Sequence, residues 1–454
     1  MRNAVFLLLM WIVVPSLVAA PPTNTYTFQS QRKPGQTDHV VIKMKAGGET
    51  KFTDQGRTQR EKVDIACDLE YDEKTLETPA DGEGLWRSVR NYTAIHVGDD
   101  EFQPTLRPDR RLICAEANGQ TTLLFSPRGL LTRSELDLIE VQGNTLLWDK
   151  ILPEKAVAVH DTWKHSDAWM AAMLGLDEVA KTDVQSRLQE VTDKVARFEV
   201  NGRAEGAIHG ATTRIELKGR YRFDLRSKRI DWLAMVIKES RDVSFVADGI
   251  DASSVFQMTA NPIGDVHELS DEALKNVPLK SSPELTQLTH HSAGGGWQFD
   301  HDRRWHVFRE KNDSAVLRMM DRGEALGQCN VSSLADRAPD KLVSLDEFQS
   351  DVQKALGENF GGFIEASEKP DDAHHRVLRV VAEGKASDIP IQWTYYHVAD
   401  SKGRQAAFVF TVEKSLLERF ADADRLLVQS LRFVEPKPQE VVARGDSGEK
   451  AEKQ

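Results

Sequence analysis

Thr213-Arg214-Ile215-Glu216-Leu217-Lys218-Gly219-Arg220-Tyr221-Arg222-Phe223-Asp224-Leu225 alternates between apolar and polar residues. Successive side chains of an extended strand point to opposite faces, so Ile215, Leu217, Tyr221, Phe223 and Leu225 share a dry face and charged residues take the other. Such a strand belongs to an antiparallel sheet with one face packed and one in water. Downstream, a Ser227-Lys228 turn leads into a strand over 230–240 that carries Trp232, Leu233, Met235 and Ile237. Upstream, Asn201-Gly202 predicts a hairpin turn after 195–200. Residues 26–71 alternate in the same manner around an expected Gly47-Gly48 turn, and further strands are predicted over 87–97 and 111–125. Short helices interrupt the strands. Thr132-Arg133-Ser134-Glu135 has the form of a capping box, and Ser166 caps a second helix that carries Trp169, Met170, Met173 and Leu174 and ends at Gly175. Residues 21–278 are therefore expected to form a β-rich domain, a large antiparallel meander with short helices. Its sheet curls around a core, a helix or an apolar ligand, and the pattern leaves all three open.

Pro278 to Gly296, with two prolines and Gly294-Gly295-Gly296, marks a joint, and 279–296 is expected as a linker. Beyond it, Ser344-Leu345-Asp346-Glu347 is a further capping box, followed by a helix with one apolar face. Residues 405–412 have two apolar faces, which places that strand in the middle of a sheet covered on both sides, and 416–429 predicts a covering helix. The expectation for 297–435 is an α/β/α sandwich with an antiparallel sheet, and for the whole chain an α+β class. Residues 1–20, MRNAVFLLLMWIVVPSLVAA, have the plan of a signal peptide, which predicts an extracytoplasmic protein with no transmembrane segment after cleavage. Residues 436–454 are charged, poor in large apolar side chains and expected to be disordered. A net charge of −12 disfavours nucleic acid as a partner.

The segment 297–433 resembles the Mog1/PsbP-like fold. The likeness rests on Phe299 and Trp305 in the opening strands, the helix capped at Ser344, the final hairpin and a last helix running into Ser430-Leu431-Arg432-Phe433. It implies partner binding or assembly and brings no catalytic motif. Val157-Ala158-Val159-His160-Asp161-Thr162-Trp163 is similar to the Val-x-Val-Gly-Asp-x-Trp stretch of secreted bacterial β-rich domains of unknown function, with His160 where glycine would ordinarily allow a left-handed turn.

Candidate chemistry is sparse. His160 and His165 flank Trp163 and could hold a metal if the turn folds them together; otherwise they are surface and turn residues. His290-His291 and His374-His375 lie in polar, loop-like sequence, where solvated surface is the expectation. Trp393, Tyr395 and His397 share one face of a strand, either as a binding surface or beneath a helix. Cys67 and Cys114 could form a disulfide if their strands are neighbours, or remain two buried thiols, and Cys329 has no partner in its own domain. There is no Gly-rich phosphate loop, paired-cysteine metal site or Gly-x-Ser-x-Gly nucleophile turn, and no cofactor or catalytic residue is assigned. The expected function is a non-catalytic binding or assembly module for a protein partner. The alternatives are a carrier of a small apolar ligand in the β-rich domain and an extracytoplasmic hydrolase.

Overall fold

The computed structural model describes residues 24–54, 57–79, 84–98, 105–118, 121–292, 294–370 and 375–435. The expected signal peptide at 1–20, the segment 436–454 and His374 lie outside them.

The first lobe contains β1 (Thr25–Tyr26), β2 (Thr37–Asp54), β3 (Arg57–Glu77), β4 (Trp86–Val97), β5 (Leu112–Ala117), β6 (Thr122–Phe125), α1 (Arg133–Ile139), β7 (Val157–Ala158), β8 (Thr162–Lys164), α2 (Asp167–Leu174), β9 (Glu178–Thr182), β10 (Gln185–Val191), β11 (Val195–Ile208), β12 (Ala211–Asp224), β13 (Arg229–Arg241) and β14 (Gly249–Ile263). Twelve of these strands form one antiparallel sheet in the order β6-β5-β4-β3-β2-β14-β13-β12-β11-β10-β8, with β9 pairing to β11. β14 pairs with β2 along its whole length, from Gly249↔Lys51 to Ile263↔Thr37, and so joins the two halves of the meander. The outer face of β12 exposes Arg214, Glu216, Lys218 and Arg220, so this side of the sheet faces water. The inner face packs on the protein's own interlude. Leu136 and Ile139 of α1, Leu147 and Trp148 of a 3-10 turn (Thr145–Ile151), and Trp169, Met170 and Met173 of α2 are buried against Ile42, Leu69, Phe198, Tyr221, Met235 and Phe256. The indoles are satisfied as well as buried: Trp148 Nε1 donates to Gly143 O at 3.1 Å and Trp169 Nε1 to Leu147 O at 3.0 Å.

Two expected turns are strand interiors. Gly47-Gly48 lies inside β2 and Asn201-Gly202 inside β11. Glycine serves close approach at both positions: a Cβ on Gly48 would stand 2.2 Å from Asp251 O, and one on Gly202 would stand 2.5 Å from Val184 Cα. The β11–β12 turn falls instead at His209 and Gly210, with φ of 49° and 72°.

After α3 (Asp271–Leu274) and α4 (Pro283–Thr286), the second lobe runs through β15 (Leu288–His291), β16 (Trp297–His301), β17 (Trp305–Lys311), β18 (Ser314–Asp321), β19 (Glu324–Leu334), α5 (Leu345–Leu356), β20 (Phe360–Pro370), β21 (Arg376–Ala386), β22 (Ile389–Ala399), β23 (Gln405–Glu413), α6 (Leu417–Phe420), α7 (Ala423–Gln429) and β24 (Arg432–Phe433). Its main sheet is β17-β18-β19-β23-β22-β21-β20, with β23 in the middle, where two apolar faces are needed. The joint is itself structured, since it carries α4 and β15. Ser281 donates to Glu116 from its N–H at 3.0 Å and its hydroxyl at 2.8 Å, and Thr289 N donates to Leu131 O at 2.9 Å.

The expected α+β class and α/β/α sandwich are overturned. Strands hold 55% of the described residues and helices 17%, so the protein is β-rich. The seven-stranded sheet has α5 over one face. The other is covered by two short helices together with a small sheet, β15-β16-β24. The expected helix over 416–429 is broken at Ala421, where φ is 49°. The Cys67–Cys114 disulfide is also excluded. Cys67 belongs to the inner core, while Cys114 packs on the opposite side of the sheet with Val89 and Leu269, and all three cysteines are free and buried.

Candidate functional site

His160 is exposed in a left-handed turn with φ of 79°, its N–H donating to Leu188 O at 2.7 Å. His165 faces another way: Nε2 lies 2.9 Å from Ser186 Oγ, the ring packs 4.7 Å from Trp169, and burial pushes its pKa down to about 4. The two do not converge, and among the described residues no group of three His, Cys, Asp or Glu side chains is placed to hold a metal. Trp393 and His397 are buried under α5, where Trp393 packs with Val352 and Leu356, Tyr395 lies at the cluster's margin, and Phe348 meets the His397 ring at 5.9 Å. That face is core. His290 packs on Trp297 and Phe299 at 5.8 and 5.3 Å, and His375 is buried beside Phe433; neither is solvated surface.

The groups that do converge lie between the lobes. The capping box at Thr132 fixes the first turn of α1: Thr132 Oγ1 accepts from Glu135 N at 3.1 Å, and Glu135 Oε2 accepts from Thr132 N at 2.9 Å. Arg133, thus oriented, donates to Arg303 O at 2.7 Å. Arg303, on the β16–β17 turn, donates in turn to Thr286 O at 2.7 Å and Leu124 O at 2.5 Å, so one guanidinium ties the first sheet, the joint and the second lobe. Beside it the His209 and His306 rings stand 4.7 Å apart across the interface. The β11–β12 turn also nearly touches the β18–β19 turn at Arg322 and Gly323, since a Cβ on Gly210 would lie 2.5 Å from Gly323 O. Farther along, Arg318 is sandwiched between Phe308 at 3.5 Å and Phe245 at 4.0 Å, and donates to Phe245 O.

Burial, reinforced by Arg133 and the neighbouring imidazoles, pushes His306 down to about 3. His301 is pushed down to about 4 by burial. Arg133 adds to this, while the hydrogen bond from its Nδ1 to Asp302 O opposes it. His209 is lowered by burial against the pull of Asp177. All three rings are therefore neutral at pH 7.

Next to this seam opens a cleft of about 450 Å³, lined by Leu123, Pro283, Gln287, His301, Phe420 and Leu426. Most of its charges are answered within the protein, while Asp422, 3.8 Å from Arg425, stays largely exposed. Asp300 accepts from Arg432 at 2.8 Å, Asp302 from Arg304 at 3.0 Å, and Arg419 pairs with Asp321 at 2.9 Å and with Glu324. Leu426 is left 61% exposed at the rim. Such a cleft offers apolar contact at Leu123, Pro283, Phe420 and Leu426. Sequence reading missed His209, His306 and Arg303, because only tertiary contact brings residues so far apart in the chain together.

No family model and no curated protein matches the chain. Resemblance to solved structures is faint. Cyanobacterial PsbP (CyanoP) from Synechocystis sp. is 14% identical with a TM-score of 0.26, covering 34% of this chain and 99% of that one. A protein of unknown function from Pseudomonas aeruginosa, PA94, described as a putative regulator, is 7% identical over the same shares, with a TM-score of 0.23. A mutant porin of Rh. blastica covers 83% of this chain and 99% of its own at 8% identity and a TM-score of 0.13. The PsbP-like resemblance is thus weak and partial. Among the described residues no helix is long and apolar enough to cross a membrane.

Proposed function

We propose that this protein is an extracytoplasmic, non-catalytic binding or assembly module, and that the cleft between its lobes receives a segment of a partner protein. The observation that carries the reading is the cleft's lining: Asp302 is paired with Arg304, Asp300 and Arg419 are paired with charges just outside it, and His301 is held neutral, while Leu426 stands exposed among Leu123, Pro283 and Phe420. A surface of apolar contact rimmed by satisfied polar groups suits recognition. The leader-like sequence at 1–20 supports the compartment. The apolar-ligand carrier has the filled inner face of the first sheet against it, and the hydrolase has the absence, among the cleft residues named above, of a poised nucleophile.

The test is site-specific photo-cross-linking of the full chain in its own host. A cross-linker at Leu426 should give one defined adduct, and one at Val255, an equally accessible position on the outer face of the first sheet, should give none. Identical adducts at both positions, no adduct at either, or substrate turnover abolished by His301→Phe would overturn the reading.

A further inference from the structure

At one end of the first sheet the inner face changes from apolar to charged. Asp38 of β2 stands opposite Glu73 of β3, and Glu73 and Thr75 stand opposite Arg90 and Ser88 of β4, cross-strand neighbours about 5 Å apart. All five are buried. Glu73 is fully engaged: Oε1 accepts from Ser88 Oγ at 2.7 Å and Arg90 Nε at 2.8 Å, and Oε2 from Thr145 Oγ1 at 2.6 Å. Buried Arg229 donates to Asp38 Oδ2. Arg32 enters from the segment before β2. Gln31 N donates to Lys228 O at 3.0 Å, which holds the backbone just before Arg32 against the backbone just before Arg229, and the Arg32 guanidinium is among the charges acting on Glu73. Arg32 is only 9% exposed.

This layer buries three guanidinium groups, from Arg32, Arg90 and Arg229, against two carboxylates, from Asp38 and Glu73. Its excess is one positive charge. Arg32 Nη1 has no acceptor, and Thr75 Oγ1 and Asp38 Oδ1 have no partner. A buried charge and a buried donor both need answering in a native interior. We propose that the layer is an anion site, taking one small monovalent anion, a halide or a formate-sized carboxylate, on Arg32 Nη1 with the Thr75 hydroxyl as second donor. Asp38 Oδ1 is an acceptor and does not hold the anion; a water donating to it completes the layer. A dianion would overcompensate the single excess charge.

The experiment is thermal unfolding of the full chain at fixed ionic strength, with sodium gluconate replaced stepwise by sodium chloride or sodium formate. The midpoint should rise by several degrees and saturate, because a ligand that binds only the folded state stabilises it by mass action. Lys33→Met, an exposed neighbour, should keep that rise and Arg32→Met should lose it. A wild-type midpoint indifferent to the anion, or an undiminished rise in Arg32→Met, overturns the site. Should Arg32→Met fail to fold, Thr75→Val carries the comparison: the chloride titration should move about tenfold to higher concentration, the loss expected for one hydrogen bond to a charged group. An unchanged curve in that variant also overturns the proposal.

Discussion

His160 holds a left-handed conformation at φ of 79°, where a Cβ is crowded and glycine is not. Its side chain is exposed, so His160→Gly removes strain without removing packing, and stability should rise by about 0.5–1 kcal/mol after the extra entropy of the unfolded glycine is subtracted. A urea midpoint that falls would contradict this. Gly48 presents the opposite case. A methyl there would meet Asp251 O at 2.2 Å and the Ala252 Cα at 2.6 Å, so Gly48→Ala forces β2 and β14 apart where they join the halves of the sheet. Overpacking of this kind costs about 1–3 kcal/mol, measurable in the same denaturation series. Glu73 is a third point of leverage. Burial alone would raise its pKa, but Arg90, Arg32 and the hydroxyls of Thr145 and Ser88 outweigh that and hold its carboxyl well below the ordinary range. Glu73→Gln leaves Arg90 buried without its counter-charge and should destabilise by about 3–5 kcal/mol.

The helices and turns depend on a few local devices. Ser344 accepts from Glu347 N at 3.3 Å, and Glu347 Oε2 accepts from Ser344 N at 3.1 Å, which closes the first turn of α5 over the Trp393 and His397 face. Ser344→Ala should cost about 1 kcal/mol and speed amide hydrogen exchange in the first turn of α5, leaving the β-strand amides protected. The seam between the lobes rests on turn against turn. Gly210→Ala places a methyl 2.5 Å from Gly323 O at a position whose φ is already positive. The expected result is a looser pair of lobes with both sheets intact: solution scattering should show a larger radius of gyration while the strand content by circular dichroism is unchanged. Concurrent loss of strand signal would mean that the turn supports the sheet and not the seam.

For the molecule as a whole, the seam is sensitive to acid. His301 and His306 titrate near 4 and 3 in the folded protein, against about 6.5 when unfolded. The unfolded chain therefore binds more protons between those values, so the stability contributed by these neutral rings is complete above pH 6.5 and is lost as pH falls, towards 4 for His301 and towards 3 for His306. Around them stand the cations Arg133, Arg241 and Arg303, the imidazoles His209 and His290, and the acids Asp177, Asp302, Glu140 and Glu310. The urea midpoint should fall steeply between pH 6.5 and 4, and His306→Phe, which keeps the ring and removes the titration, should flatten that slope; equal slopes would assign the acid sensitivity elsewhere. The sequence by itself determined the strands, because alternation such as that of β12 records one dry and one wet face, and it determined the caps at Thr132, Ser166 and Ser344, because a hydroxyl satisfying nearby amides is a local event. Only the tertiary structure decided the class and the site. Gly47-Gly48 and Asn201-Gly202 have the composition of turns, but their glycines answer to the backbones of β14 and the 183–184 segment, which no local pattern records. The helix over 416–429 breaks at Ala421, and the expected α/β/α sandwich gives way to a β-rich lobe covered in part by a small sheet. His209, Arg303 and His306 become a site only because folding brings separate turns and α1 together, and contact between distant parts of the chain leaves no period in the sequence.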